Sequence, residues 1–204
     1  MLIQIVKKVE IMARPSMAVQ RKKQILDAFE HCILTLGLQA TSLENIAEQA
    51  NMKRTILRHY IGNKDDIICA LSERWKLIYE QQWQSLISWL PNTNRTSALI
   101  DMLFTVGSEE HVNNTIIGEA IFGEAKRLAV LKEHQEQIMN TFIEQVSTII
   151  SEEYAIIDDE KASLIAYSLY ASYLLSLSLL PLKMGDAIHK LKQSAHLLLV
   201  NLTK

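Results

Sequence analysis

Five polar residues crowd one short stretch of this chain: Lys53, Arg54, Thr55, Arg58 and His59. Read as a helix with Leu57 turned inward, the stretch keeps all five on its exposed side. Lys and Arg pair with phosphates and with guanine edges, and Thr can meet a phosphate or a thymine methyl. That is the chemistry of nucleic-acid recognition, and it depends on elements that hold the helix out to solvent.

Those elements are legible on either side. Two short helices, 42–50 and 54–60, flank Ala50-Asn51-Met52, the spacing of a helix-turn-helix. Ala47 is small where two helices must approach closely. Asn51 stands at the turn, where a left-handed backbone is wanted and Gly or Asn is preferred. Ile46, Leu57 and Phe29 can close a small core beneath. Upstream, Ile25, Ala28, Phe29, Cys32, Ile33 and Leu36 step by three and four, one stripe of a helix over 21–36 that Gly37 ends. Thr41 with Glu44 reads as a capping box, and the second short helix is expected from Lys53 or Arg54 to Ile61. Asn63 caps the next helix, with Asp65 and Asp66 in its first turn. That helix runs through Trp75, Tyr79 and Trp83 until Pro91-Asn92-Thr93-Asn94 breaks it. Further helices are expected near 95–106, 113–127 and 129–153, then from Asp158-Asp159 to Leu180, and last over 186–202. The fold is therefore read as all-α, of about nine helices.

Composition agrees with a folded core: 204 residues, 49% hydrophobic, with only six Gly and three Pro. Disordered, collagen-like and repeat architectures are excluded. Cys32 and Cys69 make neither a disulfide framework nor a zinc site. The formal net charge of −2 argues against a nucleic-acid partner until it is divided by position. Residues 1–60 hold nine bases against five acids, or +4; the remaining twelve bases and eighteen acids give −6. A basic head sits on an acidic body. The opening residues lack a basic region and a cleavage site, so they do not read as a secretory signal. Met12-Ala13-Arg14-Pro15-Ser16 reads like a natural start, which makes residues 1–11 an extension. Ala162 to Leu182 is uncharged over 21 residues, the length of a membrane span. Its five Ser and three Tyr instead indicate a buried helix at a subunit interface. The expectation is a cytoplasmic protein with no membrane partner.

From Arg21 to about Leu71 the chain resembles the DNA-binding domain of TetR/AcrR-type transcriptional regulators. The resemblance rests on Ile25-Leu26-Asp27-Ala28, Gly37, Ala40-Thr41-Ser42, Ile46-Ala47, Ala50, and the run from Leu57-Arg58-His59-Tyr60 through Gly62-Asn63-Lys64-Asp65-Asp66-Ile67. It implies backbone-phosphate contacts from Lys64, Tyr60 and Thr41. The chain departs from the family pattern at Asn51, Lys53, Thr55, Ile56, Arg58 and Ile61, which affects the operator sequence rather than the fold. The implied organisation is an extension over 1–15, a DNA-binding domain over 16–63, and a ligand-binding and dimerisation domain over 64–204.

Beyond residue 71 the resemblance is architectural: such regulators pair through their last two long helices and hold a ligand inside each helical body. The pairing helices would be 160–181 and 186–202, with Ser168, Ser172 and Ser176 forming a small face and Leu191 and Leu198 adding apolar contacts; an intrachain contact is the alternative. Trp75, Tyr79, Trp83, Phe104, Phe122, Tyr167 and Tyr170, with Glu119 or Glu124, could hold a cationic or flat amphipathic ligand. No Gly-rich phosphate loop and no Glu-x-x-His unit occurs, and Asp186 with His189 is a single pair. No catalytic residue, cofactor or metal is expected. The reading is a homodimeric repressor that binds a palindromic double-stranded operator and is released by a small molecule. The alternatives are an architectural or cell-cycle DNA binder on the same fold, and a helical ligand-binding or scaffold protein whose basic head is incidental.

Overall fold

The computed structural model describes residues 16–105, 107–154, 157–200 and 202. The extension expected over 1–15 lies outside them. Among the described residues there are nine helices and no strand: α1 (Met17–Leu36), α2 (Leu43–Gln49), α3 (Arg54–Ile61), α4 (Lys64–Ser88), α5 (Arg95–Leu103), α6 (Glu109–Glu124), α7 (Ala129–Glu153), α8 (Asp159–Leu179) and α9 (Gly185–Val200).

Where the helices begin earlier than expected, a cap explains it. α1 starts a full turn ahead because the Ser16 hydroxyl accepts from the Val19 amide at 3.3 Å. α6 starts at Glu109 because Ser108 caps it, with Glu109 and Glu110 favourably placed against the helix dipole. The capping box of α2 is one residue later than expected. Ser42 accepts from the Asn45 amide at 3.2 Å, and Asn45 Oδ1 accepts from the Ser42 amide at 2.9 Å. Thr41 is not the cap: its hydroxyl donates to the Gly37 carbonyl at 2.8 Å.

Two apolar cores hold the nine helices. The first is built from the stripe of α1 with Ile46, Ala47, Leu57 and Ile61 of α2 and α3. It does not stop at residue 63, because Ile67, Ile68, Leu71 and Trp75 of α4, Ile117 and Ile121 of α6 and Leu131 of α7 complete it. The second gathers Leu99, Ile100 and Leu103 of α5, Phe142, Val146 and Ile150 of α7, Ala162, Ala166 and Leu169 of α8, and Ala195 and Leu199 of α9. The far half of α4, through Trp83, Leu86 and Ile87, packs on this second core. α4 thus belongs to both, and at 25 residues it runs about 37 Å.

α8 is long and apolar enough by length and composition to cross a membrane, yet 33% of its most apolar stretch is already buried against the rest of the fold. Ala162, Ile165, Ala166, Leu169 and Ser176 are its inward residues.

A charged tie closes the body at the α5–α9 contact. Asp101 Oδ1 accepts from Lys192 Nζ at 2.9 Å and lies 3.1 Å from His196 Nε2. The Lys192 ammonium, with His196 helping against slight burial, holds the Asp101 carboxyl below its ordinary range. A depressed carboxylate stabilises the fold above its unfolded pKa and ceases to do so as pH falls through its folded one. Urea midpoints recorded from pH 6 downwards should therefore fall off below about pH 4 less steeply in Asp101→Asn than in the wild type. Identical acid limbs would show that the tie contributes nothing.

Candidate nucleic-acid interface

Helix α3 is presented by a rigid support. From α1, Gln24 Nε2 donates to the Ala50 carbonyl at 2.7 Å, fixing the turn between α2 and α3. Asn51 adopts φ +47°, the left-handed turn residue the spacing calls for, and the Met52 amide returns to the Ala47 carbonyl at 2.9 Å. Leu57 and Ile61 then anchor α3 in the first core, and Lys53, Arg54, Thr55, Ile56, Arg58 and His59 face solvent. Tyr60 is half-buried, its ring edge-on to His59 at 5.2 Å between centroids. Ile56 is the residue the sequence reading leaves off this face. It is 43% exposed, an apolar tip of the kind that meets a thymine methyl.

The exposed cations differ in what they are free to do. Arg54 pairs with Glu44 of α2. Lys64 Nζ donates to the carbonyls of Leu38 at 2.8 Å and Gln39 at 3.3 Å, so it ties the start of α4 to the loop before α2. Its implied phosphate contact would have to be made at the expense of that tie. Thr41 is 2% exposed and its hydroxyl is engaged with Gly37, which removes it from any DNA-facing surface. Lys53 and Arg58 have no carboxylate partner among the described residues.

The junction between α3 and α4 sets the angle of the head. Gly62 lies at φ +90°. Asn63 Oδ1 accepts from the amides of Asp65 at 2.8 Å and Asp66 at 3.2 Å, and Asp66 Oδ2 accepts from the Asn63 amide at 2.8 Å. Next to it lies a chain of contacts from head to body. Gln39 Nε2 donates to Glu124 Oε1 at 2.7 Å; Arg127 Nε pairs with the other oxygen of Glu124; Arg127 Nη2 donates to Asp65 at 2.7 Å. The Arg127 guanidinium holds the Asp65 carboxyl below its ordinary range. Further along α4, Arg74 bonds Asp27 of α1 at 2.6 Å and Trp75 Nε1 donates to Glu30 at 2.8 Å. Ser72 Oγ lies 2.8 Å from His134 Nδ1, and His134 Nε2 lies 3.0 Å from Glu73. Burial pushes Glu30 up, while for Asp27 burial is outweighed by donors from Lys23 and Arg74.

In the body, some of the expected pocket residues gather and others do not. Trp83 and Phe142 lie 5.0 Å apart, Phe142 and Tyr170 5.0 Å, and Phe142 stacks on Tyr173 at 6.2 Å. Phe104 meets Tyr173 edge-on at 6.4 Å. Trp83 Nε1 donates to Gln145 at 2.7 Å. Burial, with the neighbouring Tyr173 and Tyr170, raises the Tyr79 phenol well above its ordinary value, and burial brings Tyr173 to about 12. Phe142 is the centre of this cluster; the sequence reading gives only the helix that carries it, over 129–153. Trp75 belongs instead to the first core, tilted against Tyr79 at 5.5 Å. Glu119, Phe122 and Tyr167 point to solvent, the last two 50% and 47% exposed. Glu124 is spent on Gln39 and Arg127. None of these four lines an aromatic pocket.

The expected pairing face also turns. Ser168 is exposed, Ser172 half-buried and Ser176 buried, its hydroxyl on the Tyr173 carbonyl at 2.7 Å. Steps of four residues advance a helical row by about 40° each, so two steps carry it about 80° around the axis, from surface to core. Leu191 and Leu198 pack against the second core. The exposed apolar side is formed instead by Leu164, Tyr167, Leu175 and Leu182 on and just after α8, with Leu197 on α9. Among the described residues no cluster of three or more His, Cys, Asp or Glu could hold a metal.

No family model matches the chain. An HTH-type transcriptional regulator BetI of Burkholderia cenocepacia is 35% identical over 57 residues, which is 28% of this chain and 29% of that protein, in the N-terminal region. The match thus spans under a third of that relative's length. Among solved structures, a TetR-like transcriptional regulator from Rhodococcus sp. RHA1 covers 89% of this chain and 96% of its own, at 19% identity and a TM-score of 0.62. A Saccharomonospora viridis protein solved with choline covers 89% and 96%, at 14% identity and a TM-score of 0.73. The multidrug binding protein EbrR, solved with imidazole, covers 91% and 96%, at 15% identity and a TM-score of 0.63.

The α3–α4 junction is testable on its own. A Cβ on Gly62 would collide with the Asp66 carboxylate, whereas one on Gly37, at φ +80°, would meet nothing within 4 Å. Gly62→Ala should lose about 1–2 kcal/mol from the backbone alone, and more through the displaced Asp66 cap. Urea denaturation should rank it clearly below Gly37→Ala; equal losses would remove the cap from the account.

Proposed function

We propose that this chain, built on the fold of the TetR-like transcriptional regulators, is a DNA-binding transcriptional regulator that releases its operator when a small molecule enters the body. The observation that carries this reading is the geometry of α3. Its inward residues are locked into a three-helix core, and its outward face offers Lys53, Thr55, Ile56, Arg58 and His59 to a major groove. The short BetI match over the same region supports it. Residues 16–63 are the DNA-binding head and residues 64–204 the body, and the protein works in the cytoplasm as a repressor.

A palindromic operator needs two heads. The side of α8 and α9 carrying Leu164, Tyr167, Leu175, Leu182 and Leu197 supports a homodimer, since such a stripe in water costs free energy until a second copy covers it. Release works through α4. Because it enters both cores and is tied at its start by Lys64 and Asp65, a shift of its far half against Trp83 and Phe142 must tilt the head or break those ties. The aromatic cluster of Trp83, Phe142, Tyr170 and Tyr173 supports a cationic effector of flat or quaternary type, held by ring faces. The choline complex of the structural neighbour is in keeping with this.

On mixed-sequence duplex DNA the protein should be retained with a steep salt dependence, and Arg58→Ala should lower the log–log slope by about 0.9 for the one phosphate lost. Retention that ignores salt would overturn the assignment. For the effector, choline and malachite green are the probes: one of them should raise the melting temperature of the wild type and fail to raise that of Trp83→Leu. Melting curves unmoved by both would exclude this effector class.

A further inference from the structure

Tyr79 of α4 stands where the two cores meet. Its ring is tilted against Trp75 of the first core at 5.5 Å between centroids. Tyr173 and Tyr170, packed on the second core, lie near enough to raise its phenol further. Its hydroxyl has no hydrogen-bond partner among the described residues. The hydroxyl ends instead on the backbone of α6: a Cβ on Gly118 would lie 2.6 Å from the Tyr79 oxygen, and 3.8 Å from the ring carbon that bears it. Glycine inside a helix costs stability relative to alanine, so its place at 118 needs a reason. The reason is that the tip of Tyr79 occupies the volume a side chain there would take. Gly123, also on α6, is exposed, and a Cβ on it would meet nothing within 4 Å.

The far end of α6 holds the head. Six residues on from Gly118, about 9 Å along the axis, Glu124 accepts from Gln39 at 2.7 Å and pairs with Arg127, which donates to Asp65 at 2.7 Å. Ile117 and Ile121 seat this stretch of α6 in the first core, and packed interiors deform little, so a push at 118 arrives at 124 as a shift of the helix. We propose that Tyr79 is a wedge between the aromatic cluster and α6, and that driving it further against Gly118 displaces Glu124 and unlocks the head from its DNA-binding position. The proposal rests on the DNA-binding reading above and deepens it, by naming the contact through which a molecule among the aromatic rings acts. The wedge works by size alone. One methyl added at 118 does what a ligand behind Tyr79 does. One oxygen removed from Tyr79 undoes it, because the nearest atom to that methyl is then the ring carbon at 3.8 Å, an ordinary contact.

No effector is needed for the test. It compares wild type, Gly118→Ala, Tyr79→Phe, the double variant and Gly123→Ala on duplexes that the wild type selects from a random pool. Gly118→Ala should weaken binding by about tenfold, within the range ordinary for coupled sites. The double variant should recover wild-type affinity, and Tyr79→Phe and Gly123→Ala should keep it. In a second arm without DNA, amide hydrogen exchange over 37–41 and 63–66 should be faster in Gly118→Ala and return to wild-type rates in the double variant. Both arms are run below the melting temperature of the least stable variant. Wild-type affinity in Gly118→Ala overturns the proposal. So does a loss that Tyr79→Phe does not restore, or one that Gly123→Ala shares, because the methyl then acts other than through the phenol. Lost binding with unchanged exchange overturns the route through Glu124. If the wild type selects no duplex and shows no salt-dependent retention, the DNA-binding reading falls, and the exchange arm alone decides the wedge.

Discussion

Glu124 is a carboxylate with 5% of its surface exposed, at the end of α6, and the relation of head to body depends on how it is satisfied. A buried charge is tolerated only when paired and hydrogen-bonded. Here both oxygens are engaged, one by the Gln39 side chain from the loop between α1 and α2, the other by Arg127 just after α6. Arg127 reaches on to Asp65 in the first turn of α4, while Lys64, one residue earlier, bonds the carbonyl of Gln39 itself. The contacts close a ring through the α1–α2 loop, the start of α4 and the end of α6. None of its members can move far without stranding a buried oxygen. The head is held by a polar ring with few stable positions rather than by a diffuse apolar contact.

That ring matters because α4 is a single rod shared by two cores. Its first half is buried with Leu57 and Phe29, its second half packs with Phe142 and Tyr170. Packed interiors deform little, so a change around Trp83 is carried along the rod to its capped start. There Asn63, Asp66 and Gly62 define a sharp corner into α3. Helix α3 is therefore positioned from two directions: by Leu57 and Ile61 beneath it and by the corner behind it.

The helices and the turn were legible because their signals are local. Asn51 at a positive φ, Asn63 as a cap and the α1 stripe follow from residue type and period alone. What the structure adds to the sequence reading comes from contacts that are not local. Thr41 and Ser42 are adjacent residues of similar capping strength, and only the Gly37 carbonyl decides which one is free to cap. Lys64 matches a phosphate-binding position by sequence, but the loop that takes its ammonium is 25 residues away. Leu191 and Leu198 turn inward while Leu197 is exposed, because α9 is apolar on more than one side and periodicity does not say which stripe faces inward. Phe142 escaped notice for a similar reason: a residue in a core stripe gives no sign of the rings it will meet from α4 and α8.

The division of charge acquires a sharper meaning once pairing is known. The head is basic by count, and two of its six described cations are paired with carboxylates: Lys23 with Asp27, Arg54 with Glu44. Exposed pairs of this kind contribute little to stability, so their main effect is on the field the head presents. They leave Arg21 and Lys22 on α1 and Lys53 and Arg58 at α3 as the described head cations with no carboxylate partner. Charge spread evenly over three helices would attract DNA in many orientations. On the proposed DNA-binding reading, cations grouped on α1 and α3, with a body that is acidic elsewhere, favour the approach that brings Thr55 and Ile56 to the base edges.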